Sequence, residues 1–249
     1  MNRYFIHLTY KGTNYHGWQR QDNANSIQAE LEKCLGIKLN AKIDIMGCGR
    51  TDTGVHAQNF YAHFDHETIF DEDNLQKLTA DLNRFLPADI ALFSIWKVSQ
   101  DAHARFDAIE RTYHYHIHQS KAVFKNELSY YIFGKLDVNE MNKAAGILLE
   151  YNDFTSFAKL HSQTKTNLCT IKAATWIEQA DGLVFVITAD RFLRNMVRAI
   201  VGSLLEVGQG KRTIDEFRQL IEAKNRNEAG YSVPAHALFL HDVKYPVSF

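Results

Sequence analysis

The chain has 249 residues, 45% of them hydrophobic and 12% aromatic, which is enough to bury one large core or two moderate ones and excludes a disordered or fibrous protein. Its 28 basic and 29 acidic residues leave a net charge of −1, which excludes nucleic-acid binding through overall charge. No run approaches the roughly 18 apolar residues of a membrane span, and the first residues carry no apolar run behind a basic head, so a cytoplasmic protein with no membrane contact is expected.

Charge is distributed less evenly than its sum suggests. Arg3, Lys11 and Arg20 lie in an acid-free stretch, as do Lys159, Lys165 and Lys172, and Arg191, Arg194, Arg198, Lys211 and Arg212 stand against the single acid Glu206. These runs are either separate solvated faces or parts of one anion-binding surface. Asp65, Glu67, Asp71, Glu72 and Asp73 crowd one short segment. Cys34, Cys48 and Cys169 form no Cys-x-x-Cys pair and read as reduced thiols.

In chain order, Tyr4, Ile6, Leu8 and Tyr10 alternate with Phe5, His7 and Thr9, the period of a strand. The segment from Tyr15 to Gln21 has no period. Its ring, amide and cation chemistry suits RNA contact, and a Trp18 that packs the loop down suits it equally. Asn25 with Gln28 predicts a helix start, Ile27, Leu31, Cys34 and Leu35 share one face, and Gly36 reads as its stop. Ile43 and Ile45 lead as a strand into a glycine-rich loop, Met46 to Ala57. A strand follows over 59–64, a helix over 74–85, and another strand over 90–98.

Over 111–118 strict alternation places Tyr113, Tyr115 and Ile117 on one face and His114, His116 and His118 on the other. Three histidines at that spacing form either a zinc site or a polar sheet face; no nearby carboxylate is evident to orient the imidazoles, and no metal is expected. Asp137 caps a predicted helix carrying Met141, Ala144, Ala145, Leu148 and Leu149. Strands are predicted over 168–177 and 183–189. The most regular helix covers 191–207, with Arg198 just outside its apolar stripe; that cation either snorkels into water or reaches a carboxylate. A helix over 213–223 and a strand over 238–245 follow. The pattern reads as two successive α+β domains, 1–108 and 109–249.

The glycine-rich loop carries the chemistry. Gly47, Gly49 and Gly54 surround Asp52, with Arg50, Thr51 and Thr53 beside it. Such a loop is either a decorated turn or a tight, shaped site. Asp52-Thr53-Gly54 also spells the aspartic-protease triplet, but that mechanism needs two carboxylates sharing a proton, and the Arg50 cation argues against a shared proton. No Gly-x-x-x-x-Gly-Lys, dinucleotide fingerprint or Gly-x-Ser-x-Gly elbow is present. An ionised carboxylate can act as nucleophile or general base without metal or cofactor, and the loop composition does not separate these roles.

Five ordered motifs add to that composition: Gly17-Trp18-Gln19-Arg20-Gln21, Gly49 to Ala57, Arg111-Thr112-Tyr113 with Tyr115, Asp153-Phe154-Thr155-Ser156-Phe157, and Met196 to Ser203. In these the chain closely resembles the tRNA pseudouridine synthase A (TruA) family. The resemblance implies an α+β fold of two RRM/ferredoxin-like domains sharing a mostly antiparallel sheet with a central active-site cleft. It implies a homodimer acting on tRNA without cofactor, isomerising uridine at positions 38, 39 and/or 40 of the anticodon stem-loop. Asp52 matches the family nucleophile, attacking either base or sugar. Tyr113 matches the tyrosine that stacks on uracil, Arg198 the basic partner of the aspartate, and Arg50 the side chain that enters the helix as the base flips out. Trp18, Gln19, Arg20, Thr51, Arg111 and Leu240 complete the expected substrate-binding set. His114 and His116 stand where relatives commonly carry arginines, and Ala237 where a glycine is usual.

Overall fold

The computed structural model describes residues 1–159, 166–180 and 182–246. The fold is mixed α/β, with strand pairing that is antiparallel almost throughout. Two compact units emerge, Met1–Ile109 together with Leu240–Phe249, and Glu110–Phe239.

In the first unit, strand β1 (Asn2–Tyr10) is followed by helix α1 (Ile27–Leu39), β2 (Ile45–Gly47), β3 (His56–His66), α2 (Glu72–Phe85) and β4 (Ile90–Val98). The sheet runs β4-β1-β3, with β2 paired to β3. As the central strand, β1 is buried on both faces at its middle. Tyr4, Ile6 and Leu8 face Phe64, Ala62 and Phe60 across the ladder, while Phe5 lies opposite His63 and Trp96. Helix α2 packs on β4, and α1 on β2 and α2.

The helix ends differ instructively from the sequence pattern. Helix α1 is capped by Ser26, whose hydroxyl accepts from the Ala29 amide at 3.3 Å, and it runs through Gly36 to stop at Asn40, in the left-handed conformation at φ 49°. Asn tolerates that geometry, so it ends the helix where a glycine was expected to. Helix α2 begins two residues before its expected start because the acidic run caps it. The Asp71 carboxylate accepts from the Asn74 amide at 2.8 Å, with Glu72 and Asp73 in the first turn against the helix dipole.

The second unit contains β5 (Glu110–His118), β6 (Tyr130–Tyr131), α3 (Val138–Ile147), β7 (Ile171–Gln179), β8 (Gly182–Ala189), α4 (Met196–Gly208) and α5 (Ile214–Glu222). Its sheet runs β5-β8-β7, and β6 adds a short parallel pairing to β5. Asp137 caps α3 through the Glu140 amide, and Thr213 with Glu216 forms a capping box on α5. Helix α4 starts later than its apolar pattern implies, because Asn195 is left-handed at φ 66°. Every residue of α4 except Arg198 and Glu206 is buried, so it is the core of this unit and not a one-striped surface helix.

The last strand, β9 (Leu238–Lys244), returns the chain to the first unit from Leu240 onward. There the Asn59 amide donates to the His241 carbonyl at 2.9 Å and the Ile109 amide to the Lys244 carbonyl at 2.9 Å. A contact reaching across some 180 residues leaves no local pattern, which is why the sequence alone places the whole of 109–249 together.

Candidate active site

In the first unit, Asp52 lies on a loop clamped backbone to backbone against residues 11–18. The Trp18 amide donates to the Thr51 carbonyl at 3.3 Å, the Gly54 amide to the Tyr15 carbonyl at 3.3 Å, and the Gly12 amide to Nδ1 of buried His56 at 2.9 Å. Glycine is required for this approach. A Cβ on Gly12 would sit 2.0 Å from the Val55 carbonyl oxygen, and one on Gly17, whose φ is +90°, 2.3 Å from that of Thr51. The turn itself closes through the Val55 amide on the Asp52 carbonyl at 3.1 Å, with Gly54 at φ +78°. Asp52 is half-buried there, between buried Thr51 and exposed Thr53.

Three members of the expected substrate-binding set are buried in the first unit. Trp18 is 2% exposed, stacks on Phe60 with centroids 4.1 Å apart, and fills the space that Gly47 leaves open. Its ring packs the loop and presents no face to a base. The Thr51 hydroxyl is 2.9 Å from the Tyr10 hydroxyl in a buried pair, and Leu240 is buried.

Gln19 and Arg20 belong to a polar chain that ends at Arg50. Arg50 is exposed and its Nε donates to the Gln19 side-chain carbonyl at 3.1 Å; the Gln19 amide donates to Gln28 at 2.9 Å; and the Gln28 amide donates to Glu32 at 2.8 Å and to the Ile45 carbonyl at 3.0 Å. Glu32, a buried carboxylate, also accepts from the Ile45 amide at 3.1 Å and pairs with Arg20 at 3.2 Å. A buried charge satisfied by three donors holds a single geometry, and here it fixes the aim of Arg50 from the rigid flank of α1. Sequence reading missed Gln28 and Glu32 in this role. The available signal was a Gln and a Glu at i, i+4 against the face of Leu31 and Leu35. Beside this chain a small cavity of about 40 Å³ is lined by Gln19, Met46, Gly49, Arg50 and Arg105, among others.

In the second unit, Arg198 is the third residue of α4 and half-buried. Its Nε donates to the Val233 carbonyl at 2.6 Å, and the Val233 amide returns a bond to the Arg198 carbonyl at 3.2 Å. Gly202 lets that segment approach, since a Cβ there would sit 1.9 Å from the Tyr231 carbonyl oxygen. A cation in the first turn of a helix adds to the positive end of the dipole, so this corner is set to attract an anion and is unfavourable to the isolated helix. Tyr113 on β5 is half-buried and meets Phe192 edge to face at 5.1 Å; Arg111 two residues before it donates to the Asp190 carbonyl at 2.8 Å. Tyr115 is fully buried, its hydroxyl donating to the Pro234 carbonyl at 3.0 Å, and burial pushes its phenol well up, leaving Tyr113 as the more accessible ring.

On the opposite face of β5, the His114 and His116 rings lie 6.2 Å apart, while Nδ1 of buried His118 is 3.0 Å from the Ser129 hydroxyl. Among the described residues no group of three or more His, Cys, Asp or Glu is arranged to hold a metal. Several cations of the basic runs are engaged by acids: Arg3 with Asp65, Lys172 with Glu110, Arg212 with Glu206, and Arg20 as above. Lys165 lies outside the described residues. The described helices include none long and apolar enough to cross a membrane.

Residues 144–246 match the family model of the tRNA pseudouridine synthases, and relatives more than 50% identical over the whole length place the chain in that class. More particularly, the chain belongs to the tRNA pseudouridine synthase A family. It is 54% identical over 246 residues to the tRNA pseudouridine synthase A of Parabacteroides distasonis, covering 99% of this chain and 97% of that one. It is 53% identical to that of Bacteroides thetaiotaomicron, covering 99% and 91%. The likeness extends to Clostridium acetobutylicum at 40% identity, covering 96% and 97%.

Proposed function

We propose that this chain isomerises uridine to pseudouridine in tRNA, at positions 38, 39 and/or 40 of the anticodon stem-loop, with Asp52 as the nucleophile. The observation that supports this most directly is a half-buried carboxylate on a turn built by close glycine packing, in a chain with full-length relatives named for this activity. Asp52 attacks the target nucleotide and forms a bond to it, the bond from the ribose to the base nitrogen breaks, the uracil turns, a bond from the ribose to carbon 5 forms, and the bond to Asp52 breaks to return the carboxylate. The proton on that carbon leaves and the nitrogen gains one, so atoms and electrons balance with no cofactor.

Arg50, held by Gln19, fills the gap left by the flipped base, since a planar cation offsets part of the lost stacking. Tyr113 stacks on the uracil. Arg198, fixed through Val233 at a helix N-terminus, is the basic partner of the aspartate. The enzyme is a cytoplasmic homodimer in this reading.

The test is tritium release from tRNA labelled at uridine carbon 5. Asp52→Asn keeps the shape of the side chain and removes its charge, so turnover is expected to fall at least 10³-fold, with tRNA affinity within about threefold of wild type. Full turnover by that variant would sink the mechanism, and a wild type that binds tRNA but releases no tritium would reduce the chain to an RNA-binding protein.

A further inference from the structure

Residues 99–107 of the first unit form a loop fastened at nearly every peptide. The Arg3 guanidinium donates to the Ala102 carbonyl at 2.9 Å, the Tyr245 hydroxyl to the Ala104 carbonyl at 2.6 Å, and the Ala104 amide to Nδ1 of buried His63 at 3.1 Å. The His103 amide donates to the Asp107 carboxylate at 2.7 Å, and Nδ1 of His103 accepts from both the Arg105 and the Phe106 amides, at 3.1 and 3.2 Å. Ala102 and Ala104 are buried against Phe5. The two large side chains this framework carries point outward instead. Arg105 is exposed and Phe106 is 75% exposed. An apolar ring left in water on a mobile loop is unremarkable; one held there by a rigid, hydrogen-bonded loop implies a partner.

The surroundings indicate which partner. The His103 ring backs Phe106 at 4.2 Å, and the Arg105 guanidinium lies 5.8 Å from the Phe106 centroid. Arg105 also lines the small cavity that Arg50 and Gly49 border. A supported aromatic face with a guanidinium beside it, and a second guanidinium on the cavity that the first one lines, complements a base and its phosphate.

We propose that Phe106 and Arg105 form a nucleotide subsite for an unpaired nucleotide of the tRNA, distinct from the one transformed at Asp52, with its base stacked on Phe106 and its phosphate held by Arg105. This rests on the reading of the chain as a tRNA-modifying enzyme. The subsite sits beside the Arg50 loop and steadies the strand on the enzyme while the target base is out of the stack.

The experiment uses the full chain and a transcribed tRNA, measuring tritium release and, separately, tRNA affinity by filter binding. Phe106→Ala and Phe106→Leu are expected to raise KM and weaken affinity about tenfold, with kcat within about twofold and the melting midpoint unchanged; Phe106→Tyr restores both. Arg105→Ala is expected to weaken affinity and lower the salt slope by about one unit. Rescue by Leu as complete as by Tyr, or unchanged affinity in Phe106→Ala, overturns the subsite. So does loss of a dimer in Phe106→Ala at unchanged tRNA affinity, which would assign the ring to a second copy of the chain. A wild type that binds tRNA without releasing tritium removes the catalytic reading, and the filter-binding arm still decides the subsite.

Discussion

Two loops of the first unit border the same small cavity and are made rigid by opposite means. Residues 47–56 are held by the absence of side chains: Gly12 and Gly17 let one backbone lie directly on another, and Gly47 admits the Trp18 ring. Residues 99–107 are held by the presence of side chains, with His63 and His103 accepting backbone amides and Arg3 and Tyr245 donating to carbonyls. The first construction fails when bulk is added, although the Gly12 amide on His56 gives it a histidine acceptor as well. The second fails when its acceptors are protonated, whatever the bulk. The two loops are therefore separable by experiment.

Gly17→Ala is the sharpest way to break the first. The new methyl would combine a left-handed φ with a 2.3 Å contact to a carbonyl oxygen that cannot swing aside. A loss of about 2–4 kcal/mol is expected, read as a melting midpoint roughly 5–10 °C lower, with turnover reduced further because the Asp52 turn must shift. A stable, active Gly17→Ala variant would show that the clamp does not set the position of Asp52.

The second loop should show itself in pH. Burial, helped by the nearby Arg3 cation, lowers the His63 imidazole to about 4. The unfolded chain then binds more protons than the folded one between about pH 6.5 and 4. The stabilisation is complete above pH 6.5 and is lost as pH falls toward 4, by on the order of 2–3 kcal/mol. Burial and Arg3 also lower His103, which adds to the trend in the same direction. Urea denaturation at pH 7, 5.5 and 4.5 should give a steep loss for wild type and a shallower one for His63→Gln, which keeps an acceptor for Ala104 but cannot take up the proton. Equal slopes would mean that the histidine is not what holds the loop.

The contrast also explains what was legible in the sequence. Period-two and helical patterns placed β1, β4, β5, α3 and α5 to within two residues, because those signals are local. The glycine loop announced itself by composition, and Asp52 with it. The loop at 99–107 did not, since the bonds that anchor it to Arg3, His63 and Tyr245 run to β1, β3 and the far C-terminus, and its internal bonds depend on one imidazole, His103, accepting two amides. Trp18 was ambiguous for a related reason. Only the neighbour Gly47, 29 positions away, distinguishes a packed indole from a presented one. Arg198 was legible as an outlier on an apolar helix, but its tie to Val233 depends on Gly202 admitting another segment.

Gly49 sharpens the comparison further, because it is the glycine of the Asp52 loop with no structural demand upon it. Its φ is not left-handed and a Cβ placed there meets nothing within 4 Å. It lines the cavity with Arg50 and Arg105, so the space it leaves open faces the two cations assigned to RNA. If close approach of a nucleotide is the reason for that glycine, Gly49→Ala should leave stability unchanged or raise it by about 0.5 kcal/mol, through the stiffer unfolded chain, while kcat/KM for tRNA falls several-fold. Equal thermal midpoints with unequal turnover would separate a glycine kept for the substrate from Gly12 and Gly17, which the fold itself requires. A Gly49→Ala enzyme as active as wild type would place the nucleotide elsewhere and leave Asp52 and Arg50 as the only parts of this loop that meet it.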